Sequence, residues 1–194
     1  MSDPPTTGDG EGTPPPEPEP AGSGGTAQPL TVHGWPAVEV RGTTVVHTDV
    51  ARYEGLVQAL HAEGFRFCAD LCAVDQLTNV DRRIPDGVEA ERFEGVRTVR
   101  DLSTHRHLRV RCQVPAADTR IPTTFPLWPG TEAMEREAYD LFGVVFTGHP
   151  NLTRILMPDD WEGHPQRKDY PLGGVAVEYK GAEMPPPDQR RVYP

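Results

Sequence analysis

Apolar residues recur along this chain with two alternating periods, and each change of period predicts a change of element. From Ala37 to Thr48 the β-branched run Thr43, Thr44, Val45 and Val46 reads as extended chain, folded into a hairpin near Gly42. Val50, Tyr53, Val57 and Leu60 then recur at helical spacing. Thr48 or Asp49 can cap the orphan amides at the start of that helix, and Gly64 stands where a left-handed terminal residue is wanted. Phe65 to Asp75, FRFCADLCAVD, is apolar and aromatic enough for a strand packed beneath the helix. Residues 76–91 hold Asn79, Asp81, Pro85, Asp86 and Gly87 without a period, which predicts a surface loop. Phe93 to Ser103 and His107 to Val114 alternate around a turn at Thr104 to Arg106. Val96, Val99, Leu108, Val110 and Cys112 supply the apolar positions. Arg97, Arg100, Arg109 and Arg111 fall on the polar ones, the pattern of an antiparallel sheet with one wet face.

Pro115, Pro122, Pro126 and Pro129 keep the following connection extended, with Phe125, Leu127 and Trp128 as anchors. Thr131 is placed to cap a second helix whose Met134, Ala138, Leu141 and Phe142 share a stripe and which ends at Gly143. Glu135, Glu137 and Asp140 are expected outward or toward a partner, with Arg136 one turn from both Glu132 and Asp140. Beyond it, Pro158, Pro165 and Pro171 forbid a continuous helix. Ile155, Leu156, Met157, Trp161 and Tyr170 are nevertheless too apolar for a disordered linker. An extended arm laid over a surface, of this chain or of a partner, accounts for both features.

The pattern predicts an α+β fold: one domain with a mixed or antiparallel sheet packed by a few helices, plus a long extended C-terminal arm. The boundaries fall at residues 1–29, 30–143 and 144–194. Residues 1–29 hold eight Pro, six Gly and five acidic residues with neither Lys nor Arg, the composition of a disordered tail. The formal charge is -10; outside the tail 24 acidic residues face 19 basic ones, which argues against a nucleic-acid binder. No apolar run reaches the length of a membrane helix, and MSDPPTTGDG lacks the basic and apolar regions of a signal peptide, so a soluble, cytoplasmic protein is expected.

Chemistry is sparse. Cys68 and Cys72 have three residues between them and no second ligand pair, so core thiols are the better reading of both. His149, Asp159, Asp160 and His164 could in principle serve a metal-dependent hydrolase, but each His precedes a proline in a loop rather than sharing a helix face. No phosphate loop, nucleophile elbow or dinucleotide fingerprint occurs.

One segment is recognisable: EREAYDLFGVVFTGHPNLTRILMPDDWEGHPQRKDYPL, Glu135 to Leu172, resembles the signature region of the C subunit of the respiratory NADH:quinone oxidoreductase, complex I. The span from Trp35 to Val177 is compatible with that family, including FEGVRTVRDLSTHRHLRVRCQVP. Glu135, Arg136, Glu137, Asp140, His149 and Arg154 match the first half of the signature, and Gly163, His164, Pro165, Arg167, Lys168 and Asp169 the second. Ala133 and Thr153 stand where members often carry Trp and a basic residue. The resemblance implies a non-catalytic peripheral-arm subunit with no metal or cofactor of its own, flavin mononucleotide and iron-sulfur clusters residing in partner subunits. It implies contacts with the quinone-site D subunit and the cluster-bearing B and I subunits, made by those signature residues together with Trp161 and Tyr170. It also implies a peripheral place on the cytoplasmic face of a bacterial cell membrane. A related scaffold domain of a membrane-bound hydrogenase or ferredoxin-linked dehydrogenase is the alternative.

Overall fold

A computed structural model describes residues 30–79 and 81–171, and the backbone of 177–179 and 182–184. The acidic tail lies outside the described residues. Six strands form one mixed sheet: β1 (Thr31–Val32), β2 (Trp35–Val40), β3 (Thr43–Asp49), β4 (Phe67–Asp75), β5 (Phe93–Asp101) and β6 (Arg106–Val114), in the order β1-β2-β3-β6-β5-β4. β3 and β6 run parallel, pairing Val46 with Val110; every other neighbour is antiparallel. Helix α1 (Val50–Glu63) makes the crossover from β3. Asp49 accepts from the Arg52 amide at 2.8 Å as its N-cap, and Gly64 ends it at φ 123, a conformation costly for any side chain.

Both expected helices and the hairpins form where the periodicity puts them. Tyr53, Leu56, Val57 and Leu60 of α1 are buried against Val46, Val99 and Val110. Each such side chain contributes about 1.5–3 kcal/mol when fully removed from water.

Three expectations are corrected. Arg97 does not lie on a wet face: it sits in the register of Phe93, Gly95 and Val99, pointing into the core at 2% exposure. Its neighbour Glu94 is buried on the opposite face, where Gln76, Arg82, Arg111 and Gln113 surround it. Residues 76–91 are thus tied by Arg82 across the back of the sheet. Cys72 is exposed while Cys68 is buried, because the register of β4 shifts between Cys68 and Asp70 and turns the two thiols to different faces. Thr131 makes no capping bond; a 3-10 turn (Pro129–Thr131) leads into α2 (Glu132–Phe142), and the Thr131 hydroxyl donates to the Trp128 carbonyl at 3.0 Å.

The extended connection carries β7 (Arg120–Pro122), which pairs in parallel with β8 (Val145–Thr147). Val144 and Phe146 are buried in the core, so the chain just past Gly143 belongs to the domain's packing. β9 (Val177–Tyr179) and β10 (Ala182–Met184) form an antiparallel pair.

Candidate functional site

Helix α2 and the segment after it meet around three buried carboxylates. Ala138 and Leu141 bury the inner stripe, with Met134 and Phe142 half-buried beside them. Glu135 and Asp140, expected outward, are fully buried. Glu135 accepts from the amide and hydroxyl of Thr124, at 2.9 and 2.8 Å, and from the Thr123 hydroxyl. Arg97 approaches the same carboxylate at 3.5 Å, its guanidinium 5.3 Å from the Tyr53 ring centroid and 5.9 Å from that of Trp128. Burial lowers the Arg97 pKa to about 10 against the opposing pull of Glu135, which leaves it charged at neutral pH.

Asp140 holds the arm. Its Oδ1 accepts from Arg154 at 2.6 Å, and its Oδ2 from the successive amides of Ile155, Leu156 and Met157 at 3.1, 2.8 and 2.8 Å. Consecutive amides pointing inward make an anion cradle, and the carboxylate fills it. Burial raises the Asp140 pKa, but the Met157 and Leu156 amides, the Arg154 guanidinium and the Ile155 amide outweigh it and hold the group at about 2. The other Arg154 nitrogen donates to the carbonyls of Trp161 and Gly163 at 2.8 and 3.1 Å, closing the loop between them.

The arm then closes the C-terminus of α2, where carbonyls lack helical partners. His164 Nδ1 donates to Asp140 O at 2.9 Å, Gln166 N to Leu141 O at 3.0 Å, and Arg167 Nε to Phe142 O at 2.6 Å. Gly143 is required there twice over: it sits at φ 73, and a Cβ would lie 2.5 Å from His164 Nε2 and clash with Arg167. The third carboxylate, Asp75, accepts from Lys168 N at 2.9 Å and is paired with Arg92, which also bonds Asp169. Tyr170 packs over Gly163, within 3.0 Å of where a Cβ would stand.

Arg136 contacts Glu132 at 3.6 Å, but in place of Asp140 it bonds the carbonyls of Thr153 and Arg154 at 3.2 and 2.9 Å. His149 Nε2 donates to Glu132 O at 3.2 Å while its Nδ1 accepts from Asn151, the pattern of a neutral ring used as a brace. The arm from His149 to Tyr170 therefore lies on its own chain. Turned outward are Glu137, Lys168 and Asp169, with Ile155 40% and Leu156 61% exposed; Pro165 and Trp161 are half-buried. Sequence reasoning missed Asp75, Arg92, Arg97, Thr123 and Thr124. One signal was available for Arg97, because Val96 and Val99 are three apart and cannot share a strand face, so one register had to carry an arginine inward.

Among the described residues, no group of three His, Cys, Asp or Glu side chains is arranged to hold a metal ion. The buried carboxylates Glu135, Asp140 and Asp75 are spent on fixing the segments on either side of α2. The chain belongs to the family described as respiratory-chain NADH dehydrogenase, 30 Kd subunit, whose model matches residues 46–176. It is 47% identical over 156 residues to the C subunit of the NADH-quinone oxidoreductase of Salinispora arenicola, covering 79% of this chain and 60% of that one. It is 61% identical over 92 residues to the corresponding protein of Acidothermus cellulolyticus, covering 47% and 48%. The chain thus spans about half to three fifths of the length of these relatives. Among solved structures, the trypsin-resistant fragment (1-134) of Nqo5 matches with a TM-score of 0.55 at 36% identity, covering 62% of this chain and 91% of that one. A chain of the archaeal membrane-bound sulfane sulfur reductase shares the fold, with a TM-score of 0.57 at 23% identity, covering 71% and 78%.

Proposed function

We propose that this chain is a non-catalytic structural subunit of the peripheral arm of a proton-pumping NADH:quinone oxidoreductase. It supplies shape and charge to a complex whose flavin mononucleotide and iron-sulfur clusters sit in other subunits. The observation that carries this reading is the Asp140 cradle. Four donors fix residues 154–157 so that Ile155 and Leu156 stand out from the surface, held there by the chain itself. A pre-ordered apolar projection loses little entropy on binding. Ile155, Leu156 and Trp161 form the apolar face for the quinone-site D subunit and the neighbouring B and I subunits, and the outward Glu137, Lys168 and Asp169 add charge elsewhere on the same surface of the chain. Glu135, Asp140, Arg154, His164 and Arg167 hold that face in shape from within. No helix of the described residues is long and apolar enough to cross a membrane, so attachment to the cytoplasmic face of the membrane runs through the complex.

The test is co-purification of the tagged chain from solubilised membranes. The expected result is recovery with the flavin- and cluster-bearing subunits and with NADH:quinone reductase activity, while the isolated chain is colourless and oxidises no NADH. Recovery alone, or with an unrelated set of proteins, would reject the proposal.

A further inference from the structure

The outermost strand of the sheet on the α2 side offers an unused hydrogen-bonding edge. Among the described residues β4 pairs with β5 and with no other strand. The bond from Gln76 N to Arg92 O, at 2.8 Å, sets the alternation: residues 72, 74 and 76 face β5, so the amides and carbonyls of Leu71 and Ala73 point away from the sheet. The Asp75 end is crossed by Lys168 of the arm. Natural edges are blunted by lysine, proline or covering loops, and β4 contains neither lysine nor proline. Beside this edge lie two adjoining hollows, one between Leu71, Ala73 and the Met134, Phe142 side of α2, the other between Ala73 to Asp75 and Pro165 to Lys168 of the arm, with the side chains of Leu71 and Ala73 themselves buried. Asp70 and Glu137 mark one end and Lys168 the other. None of those three charges forms an ion pair among the described residues.

We infer that the β4 edge receives an extended segment of a partner subunit as a seventh strand. The segment places alternate apolar side chains in these hollows, a Lys or Arg against Asp70 and Glu137, and an Asp or Glu against Lys168. Main-chain bonds give such an addition its affinity, and the pockets for alternate side chains give its specificity. A second copy of β4 does not fit, because its sequence, FCADLCAVD, carries two carboxylates and no basic residue to meet Asp70 and Glu137. The tail 1–29, acidic and without Lys or Arg, fails the same charge test. This inference rests on the reading of the chain as one component of a larger complex; it shares the outward Glu137 and Lys168 with that reading but uses the β4 edge in place of the Ile155 and Leu156 projection.

Hydrogen exchange tests it on the full-length chain, free and in the complex purified from solubilised membranes. The expected result is that the Leu71 and Ala73 amides exchange rapidly in the free chain and about a hundredfold more slowly in the complex. Ala73→Pro removes an outward donor and leaves the β5 ladder intact. It should keep the circular dichroism of the wild type while lowering recovery of the chain in the complex about tenfold, the size of one lost anchoring contact. Asp70→Arg with Glu137→Arg should lower recovery similarly and decides the matter if Ala73→Pro does not fold. Fast exchange of both amides in the complex overturns the inference. So does equal protection in the free chain, which would mean that the chain covers its own edge, and so does wild-type recovery of the folded variants. Failure to recover any partner subunit would reject the assembly reading first and this inference with it.

Discussion

Under α1 the sheet is covered by Tyr53, Leu56, Val57 and Leu60, whereas around α2 three buried carboxylates, Glu135, Asp140 and Asp75, are each ringed by donors. The first half is held by burial of area, which is non-directional and tolerates repacking. The second is held by directed bonds that stand or fall together. Asp140 alone anchors one guanidinium and three backbone amides, so its loss leaves four donors without their acceptor. The apolar half can be altered by degrees; the polar half fixes one conformation of the arm.

The sharpest way to separate the halves is to remove one element from each. Asp140→Ala should destabilise the free chain by about 3 kcal/mol, the cost of taking the buried acceptor away from one guanidinium and three backbone amides, measured by denaturant titration. Below its midpoint, trypsin should cut the variant at Arg154, Arg167 and Lys168 while the sheet persists. Leu56→Ala should cost about 3 kcal/mol through the cavity it leaves, yet keep the arm as resistant to trypsin as in the wild type. Identical digestion patterns for the two variants would show that the halves are one cooperative unit.

Gly143→Ala comes next, at about 2 kcal/mol, because a left-handed residue with a side chain there both strains the backbone and displaces His164 and Arg167. Its signature should be loss of the arm's protection with little change under α1. Acid should act on the polar half first. The Asp140 pKa, about 2 in the folded chain, lies below its ordinary value of 3.8, so its contribution is complete above pH 3.8 and is lost as pH falls toward 2. Comparing wild type with Asp140→Asn over that window should show the wild type losing the larger part of its advantage; parallel curves would mean that the cradle does not stabilise the anion.

The smallest effect on folding is expected for Leu156→Ser, within about 0.5 kcal/mol for an exposed side chain. The same substitution should lower the amount of assembled quinone-reductase complex in membranes. Equal assembly of variant and wild type would remove the projection from the interface.

The apolar half was legible along the chain because its information is periodic. Val50, Tyr53, Val57 and Leu60 announce a helix by spacing, Asp49 and Gly64 mark its ends, and β-branched runs mark β2 and β3. The polar half was legible only in part. The signature residues around α2 stood out as a set, but Glu135 and Asp140 read as outward charges, since a carboxylate on a helix lies in water unless something distant supplies its donors. Those donors come from Thr123 and Thr124 before the helix and from residues 154–157 after it, distances over which no local pattern extends.

What the sequence by itself determined is where the elements begin and end, which helix faces are apolar, and that a proline-broken apolar arm needs a surface. Each of these follows from side-chain volume, backbone propensity and period, properties of neighbouring residues. The tertiary structure decided that the surface is the chain's own second helix, that Arg97 points inward to meet Glu135, and that β4, among the described residues, pairs with β5 alone. Those outcomes depend on pairing between segments far apart in the chain, where a buried charge is stable only if the whole fold brings its partner within reach.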